Sequence, residues 1–192
     1  MPNKIKRIQP ETPYVPQGRD LFQTPNYATE LLIPFIPKMV VNIWEPACGQ
    51  NKIVDVLREH KYYVFGSDLG YPDQEDNFLT TAYPFPTYKK NTAIITNPPY
   101  SLKQKFYERC RSFDVPFALL IPADYCSWII QALKDGCEKI IPERRIDFIT
   151  PSGKSGLTGN TSNYHSLWLT WGFGLGRSET FVELTNEMKK NV

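Results

Sequence analysis

Short apolar runs alternate with amphipathic stretches along most of this chain, and that alternation narrows the folds open to it. Val40-Val41-Asn42-Ile43-Trp44 reads as a buried strand, and residues 51–60 follow as a helix with Ile53, Val54 and Leu57 inward. Residues 62–66 and 93–96 read as further strands, 101–112 as a helix, 117–121 as a strand and 124–135 as a helix. Upstream, Ala28, Leu31, Leu32 and Phe35 recur at helical spacing behind Asn26, until Pro34 and Pro37 end the helix. This order predicts an α/β fold: a mostly parallel sheet with helices on both faces. Runs at 138–141, 146–150 and 166–171 have no long helices between them, which predicts an antiparallel hairpin at one sheet edge.

With 192 residues the chain is about one domain long. Residues 1–20 are polar and carry Pro2, Pro10, Pro13 and Pro16, so they are expected to form an extended arm, with one domain over 21–192. No apolar run approaches the roughly 20 residues that span a bilayer, and no apolar segment follows the basic N-terminus, so a cytoplasmic protein is expected. Cys48, Cys110, Cys126 and Cys137 form no C-x-x-C pair, so reduced cysteines and no metal are expected. A net charge of +2 permits a nucleic-acid partner without declaring one. Gly153-Lys154-Ser155 lacks the P-loop's earlier glycine, since Phe148 stands there, and the glycines from 172 to 176 have Arg177 at the third dinucleotide position.

Asn97-Pro98-Pro99-Tyr100, directly after the strand ending at Thr96, is the sharpest motif. An exocyclic amine conjugated to a ring is a poor nucleophile, because its lone pair is delocalised. A carboxamide oxygen and a nearby backbone carbonyl can accept its two N–H hydrogens and hold the nitrogen nearer to sp3. Proline fixes φ and has no N–H, so Pro98 and Pro99 make a stiff segment that presents a carbonyl, and Tyr100 offers a stacking face.

With these residues the sequence resembles the S-adenosylmethionine-dependent amino-methyltransferases, above all the DNA adenine-N6 methyltransferases of bacteria and phages. Trp44-Glu45-Pro46-Ala47-Cys48-Gly49 is similar to the family's first cofactor motif, and Gly66-Ser67-Asp68-Leu69 to the acidic end of its second strand. Phe22-Gln23-Thr24-Pro25 resembles the N-terminal cofactor element of the subgroup with this motif order. The resemblance covers about residues 20–171. It implies a Rossmann-like class I methyltransferase fold with a seven-stranded-type sheet, formed by a single catalytic domain without a separate target-recognition domain.

The same likeness implies direct in-line transfer of a methyl group from S-adenosyl-L-methionine to N6 of a flipped-out adenine in DNA. Asn97, Pro98, Pro99 and Tyr100 would be the catalytic set. Gln23, Thr24, Pro25, Glu45, Ala47, Cys48, Gly49, Asp68, Leu69, Asn77 and Phe78 would bind the cofactor. A glycine turn at a strand end admits a ligand to the backbone, and Asp68 at the next strand end suits ribose hydroxyls. Glu45 could hold the cofactor's ammonium, and the Thr24 hydroxyl its carboxylate.

The family's third cofactor motif has Asp-Phe where this chain has Asp76-Asn77-Phe78-Leu79. Either Asn77 or Asp76 would then read the cofactor's adenine. Lys103, Lys105, Arg144, Arg145 and the loop from Pro151 to Asn163 with Lys154 are the candidate nucleic-acid contacts, on DNA that is single-stranded or of relaxed sequence. An oligomer is open. Methylation of an RNA base amine or a protein glutamine amide has the same chemical needs, and a non-catalytic binding protein of this fold is the remaining alternative.

Overall fold

The computed structural model describes residues 18–69, 77–150 and 164–190. The expected arm over 1–17, Asp76, and the loop from 151 to 163 with Lys154 lie outside the described residues. Among the described residues seven strands form: β1 (Asn42–Glu45), β2 (Tyr63–Gly66), β3 (Thr92–Thr96), β4 (Phe117–Pro122), β5 (Glu138–Pro142), β6 (Ser166–Trp171) and β7 (Glu179–Val182). They pair into one sheet in the order β2-β1-β3-β4-β6-β5-β7. Neighbours are parallel throughout except for β6, which runs antiparallel to both β4 and β5.

The side chains of the central strands alternate between two cores, as a pleat with both faces covered requires. Ile43, Ile95, Leu120 and Trp168 join one apolar cluster, with Val54 and Leu57 of α2 (Lys52–Glu59) and Ala28 of α1 (Asn26–Glu30). Trp44, Ile94, Leu119 and Leu169 join the other, with Phe106 and Phe113 of α3 (Lys103–Phe113) and Ile129 of α4 (Ser127–Lys134). The fold is therefore the expected α/β type, doubly wound and Rossmann-like, with a mostly parallel sheet. No helix among the described residues is long and apolar enough to cross a membrane.

Four local details differ from the sequence expectation, the first being that α1 ends at Glu30, ahead of a separate 3-10 turn over Ile33–Phe35 that contains Pro34. The antiparallel strand β6 inserts between β4 and β5, and β7 adds an outer parallel strand beyond them. Residues 146–150 form no extended strand. Ile149 makes a single bridge to Gln23, because the backbone here is used to hold the N-terminal segment. Gly18–Leu21, the end of the stretch expected to be extended, forms a 3-10 turn instead.

This topology also fixes where a ligand can sit. From β1 the chain steps outward to β2, then returns to place β3 on the other side of β1. Loops leaving the carboxyl ends of β1 and β3 therefore diverge and open a crevice between them.

Candidate functional site

A cleft of about 260 Å3 lies at that switch point. Five segments build it: residues 20–24, the turn after β1 with the first residues of α2, Asp68-Leu69 after β2, residues 77–79, and Asn97 to Phe106 in part. Of the sequence-assigned residues, Gln23, Thr24, Ala47, Cys48, Gly49, Asp68, Leu69, Asn77, Phe78, Asn97 and Pro99 line it. Pro25, Glu45, Pro98 and Tyr100 are not among its lining residues.

The turn after β1 is held by side chains from two other segments. Gly49 adopts φ +49, and a Cβ there would meet the Gln23 Oε1 at 2.7 Å. The Gly49 N–H donates to Asp68 Oδ2 at 2.8 Å, and the Gln50 N–H to Gln23 Oε1 at 2.9 Å. Gln23 is itself clamped by two backbone hydrogen bonds with Ile149, at 2.8 and 2.9 Å. Glycine is thus required twice over, for its backbone conformation and for the approach of the Gln23 amide.

Glu45 is fully buried. Its Oε1 accepts from the Ala47 N–H at 3.0 Å and from the Thr96 hydroxyl, while Oε2 is buried without a partner among the described residues. Burial, against those two hydrogen bonds, pushes its carboxyl up from 4.5 to about 8. Thr24 is also buried, yet reaches the cleft.

Asn97 follows the fully buried strand β3, and its Oδ1 is buried with no hydrogen-bond partner among the described residues. Tyr100 packs against the core instead of facing the cleft. Its ring meets Phe148 edge-on at 6.2 Å, and its hydroxyl lies 3.4 Å from Ser166 Oγ. Burial pushes the Tyr100 hydroxyl up to about 12, so it stays protonated. Asn77 uses its Oδ1 to accept the Leu79 N–H at 3.0 Å, capping the turn that follows.

None of the described basic candidates lines the cleft. Lys103 is paired with Asp124 at 2.5 Å, and Arg144 donates to Asn186 Oδ1 at 2.7 Å. Lys105 and Arg145 are exposed, and the Arg145 carbonyl accepts from Lys189.

Sequence reasoning missed Asp20, Lys52, Leu79, Leu102 and Phe106, all of which line the cleft. Asp20 Oδ2 accepts from the Ser101 hydroxyl at 2.9 Å, so the segment before Gln23 is tied to the turn after Tyr100. Leu102 and Phe106 are four apart, one helical turn, and that spacing could have placed them on the same face.

No protein-family model matches this chain, and no curated protein matches it. Among solved structures it is similar to a candidate RNA methyltransferase of Pyrococcus horikoshii, at 14% identity, over 83% of this chain and 89% of that one, with a TM-score of 0.46. It is also similar to the CcbJ methyltransferase of Streptomyces caelestis, at 9% identity, over 83% and 76% of the two chains, with a TM-score of 0.37. Both likenesses are too remote to bear on activity, so function has to be read from the site's own chemistry.

Proposed function

We propose that this chain is an S-adenosylmethionine-dependent methyltransferase that acts on the N6 amine of adenine in DNA. The observation that carries the proposal is Asn97, whose amide oxygen is buried and has no partner among the described residues although the residue lines the cleft. A buried acceptor left unmade costs about 1–3 kcal/mol, a cost that an incoming N–H removes. Asn97 is followed by Pro98 and Pro99, so the same turn offers a carbonyl beside the amide.

The residues present fit the cofactor. Its ammonium and sulfonium exceed its carboxylate by one positive charge. Among the described residues, the charged side chains lining the cleft are Asp20, Asp68 and Lys52, two acids against one base. Leu69, Phe78 and Leu79 supply apolar walls for a purine. Asp68 would accept from ribose hydroxyls, and Thr24 would donate to the carboxylate. When bound, the cofactor supplies a methyl group made electrophilic by its sulfonium.

The chain's own part is positional. Asn97 Oδ1 and the Pro98 carbonyl accept the two N–H hydrogens of the target amine and draw its lone pair out of conjugation, an interaction that strengthens as the nitrogen becomes tetrahedral. On gaining the methyl, the amine loses a proton. Neither an amide oxygen nor a carbonyl is basic enough to keep it, so it passes to solvent. A paired base cannot reach such a cleft, so the adenine must leave the stack, and unpaired or weakened sites are favoured.

Incubation with methyl-labelled S-adenosylmethionine and DNA, RNA or protein in separate arms tests the proposal. Label in N6-methyladenine of DNA supports it. Label confined to RNA or protein overturns the substrate, and absence of both label and cofactor binding overturns the reaction.

A further inference from the structure

The ladder between β1 and β3 ends at the pair Trp44 and Ile94. The two strand ends that carry the site, Glu45 on one and Thr96 on the other, lie beyond that last rung. There the Thr96 hydroxyl donates to Glu45 Oε1, and the same oxygen accepts from the Ala47 N–H at 3.0 Å. Ala47 belongs to the turn that lines the cofactor half of the cleft, and Thr96 is the residue before Asn97. One carboxyl oxygen therefore joins the two halves of the site. Glu45 is fully buried and does not line the cleft, so it meets this junction and not a ligand.

We propose that Glu45 is a positioning residue: with Thr96 it forms a clamp that fixes the spacing between the cofactor turn and Asn97. The inference rests on the methyl-transfer reading above. It replaces the expectation that Glu45 holds the cofactor's ammonium.

The protonation of the site agrees with a clamp. Of the titratable groups around it, Asp68 after β2 acts on the Glu45 carboxyl and raises it, while Cys48 in the turn and Cys110 on α3 are themselves raised by Glu45 and stay neutral thiols. Burial holds the Glu45 carboxyl at about 8, so near neutral pH it is an uncharged acid. Its Oε1 accepts two hydrogen bonds, and an acid with its proton on Oε2 keeps both. Glutamine reproduces that arrangement, with a carbonyl in place of Oε1 and an amide nitrogen in place of the acid hydroxyl.

Glu45→Gln, Glu45→Ala, Thr96→Val and the Glu45→Ala/Thr96→Val pair test the clamp, read by labelled methyl transfer to an adenine-containing oligonucleotide and by calorimetric binding of S-adenosylmethionine. Thr96→Val keeps the side-chain volume, so it should fold even if Glu45→Ala does not. A misplacement of about 1 Å costs on the order of a hundredfold in rate, so Thr96→Val should lower kcat by roughly 10- to 100-fold. Its cofactor Kd should move by no more than about threefold, a change of under about 1 kcal/mol. Glu45→Gln should recover most of the kcat that Glu45→Ala loses. The double variant should be no slower than the worse single one, and the pair should be non-additive in urea unfolding as well.

Wild-type kcat in Thr96→Val, additive losses in the pair, or a Glu45→Gln that binds cofactor weakly at unchanged kcat would each overturn the clamp alone. A wild-type chain that binds cofactor and methylates nothing would overturn the reaction and the clamp with it.

Discussion

Replacing Glu45 with glutamine should change how stability depends on pH, by an amount that the burial of this side chain sets. In the unfolded chain the carboxyl titrates near 4.5, whereas burial in the folded protein raises it to about 8. Below pH 4.5 the group is protonated in both states and has no effect. Between 4.5 and 8 the unfolded chain gives up the proton and the folded chain keeps it, so stability falls as pH rises. At about 1.4 kcal/mol per pH unit, the full window amounts to on the order of 5 kcal/mol, a large share of the roughly 5–15 kcal/mol that holds a domain together. Glutamine cannot titrate, so this loss disappears in the variant. Urea unfolding of both proteins at pH 5, 6, 7 and 8 measures the effect. The glutamine protein should gain on the wild type by more than about 1 kcal/mol with each of the later steps. Contributions of all other titrating groups cancel in the comparison. A stability difference that stays constant from pH 5 to 8 would mean that Glu45 ionises at an ordinary value, and the reasoning from burial would be wrong.

The remaining expectations concern the cofactor half and the target. Asp68→Ala removes an acceptor that also holds the Gly49 N–H, and should weaken S-adenosylmethionine binding about ten- to a hundredfold by calorimetry. Unchanged affinity would remove Asp68 from the site. Gly49→Ala forces a side chain into a positive-φ backbone, at a cost of about 1–3 kcal/mol, and drives the Gln23 amide off the Gln50 N–H; thermal unfolding and cofactor binding should both show it. Target choice should be relaxed, because none of the described basic candidates lines the cleft; sequencing of modified adenines after expression in a methylation-deficient host would contradict this with a strict site of six or more base pairs.

The sheet was legible because its strands are continuous apolar runs. β3 and β4 are buried at every position, and such runs bounded by turns have few alternatives. β7 was not legible: Glu179-Thr180-Phe181-Val182 is short, lies at an edge and leaves Phe181 exposed, so it carries no burial pattern. In the site, Gly49, Asp68 and Asn97 were readable because a strand-end position and a residue type coincide there. The burial of Glu45 was not, since nothing in the residues around it reveals that its partners are Thr96, 51 positions later, and the turn backbone. Tyr100 shows the opposite limit. Its place after the two prolines suggested a stacking face, yet its ring settles against Phe148 and the core. Asp20 entered the cleft from a stretch whose composition suggested only an extended arm, because its contact with Ser101 spans 81 positions.

Methyl transfer and cofactor binding measured side by side in Asn97→Ala test the central claim most directly. The Asn97 oxygen is assigned to the target amine and to a bond that strengthens in the transition state, so its loss should appear in kcat more than in binding. Labelled transfer to adenine in DNA should fall by on the order of a hundredfold or more, in keeping with the removal of one preorganised polar group. Binding of S-adenosylmethionine should change far less, because the residues assigned to the cofactor lie at the ends of β1 and β2 and in the segments around Gln23 and Phe78. Asn97→Asp keeps an acceptor and should retain more activity than alanine. Transfer at the wild-type rate in Asn97→Ala would place the reaction elsewhere and contradict the account.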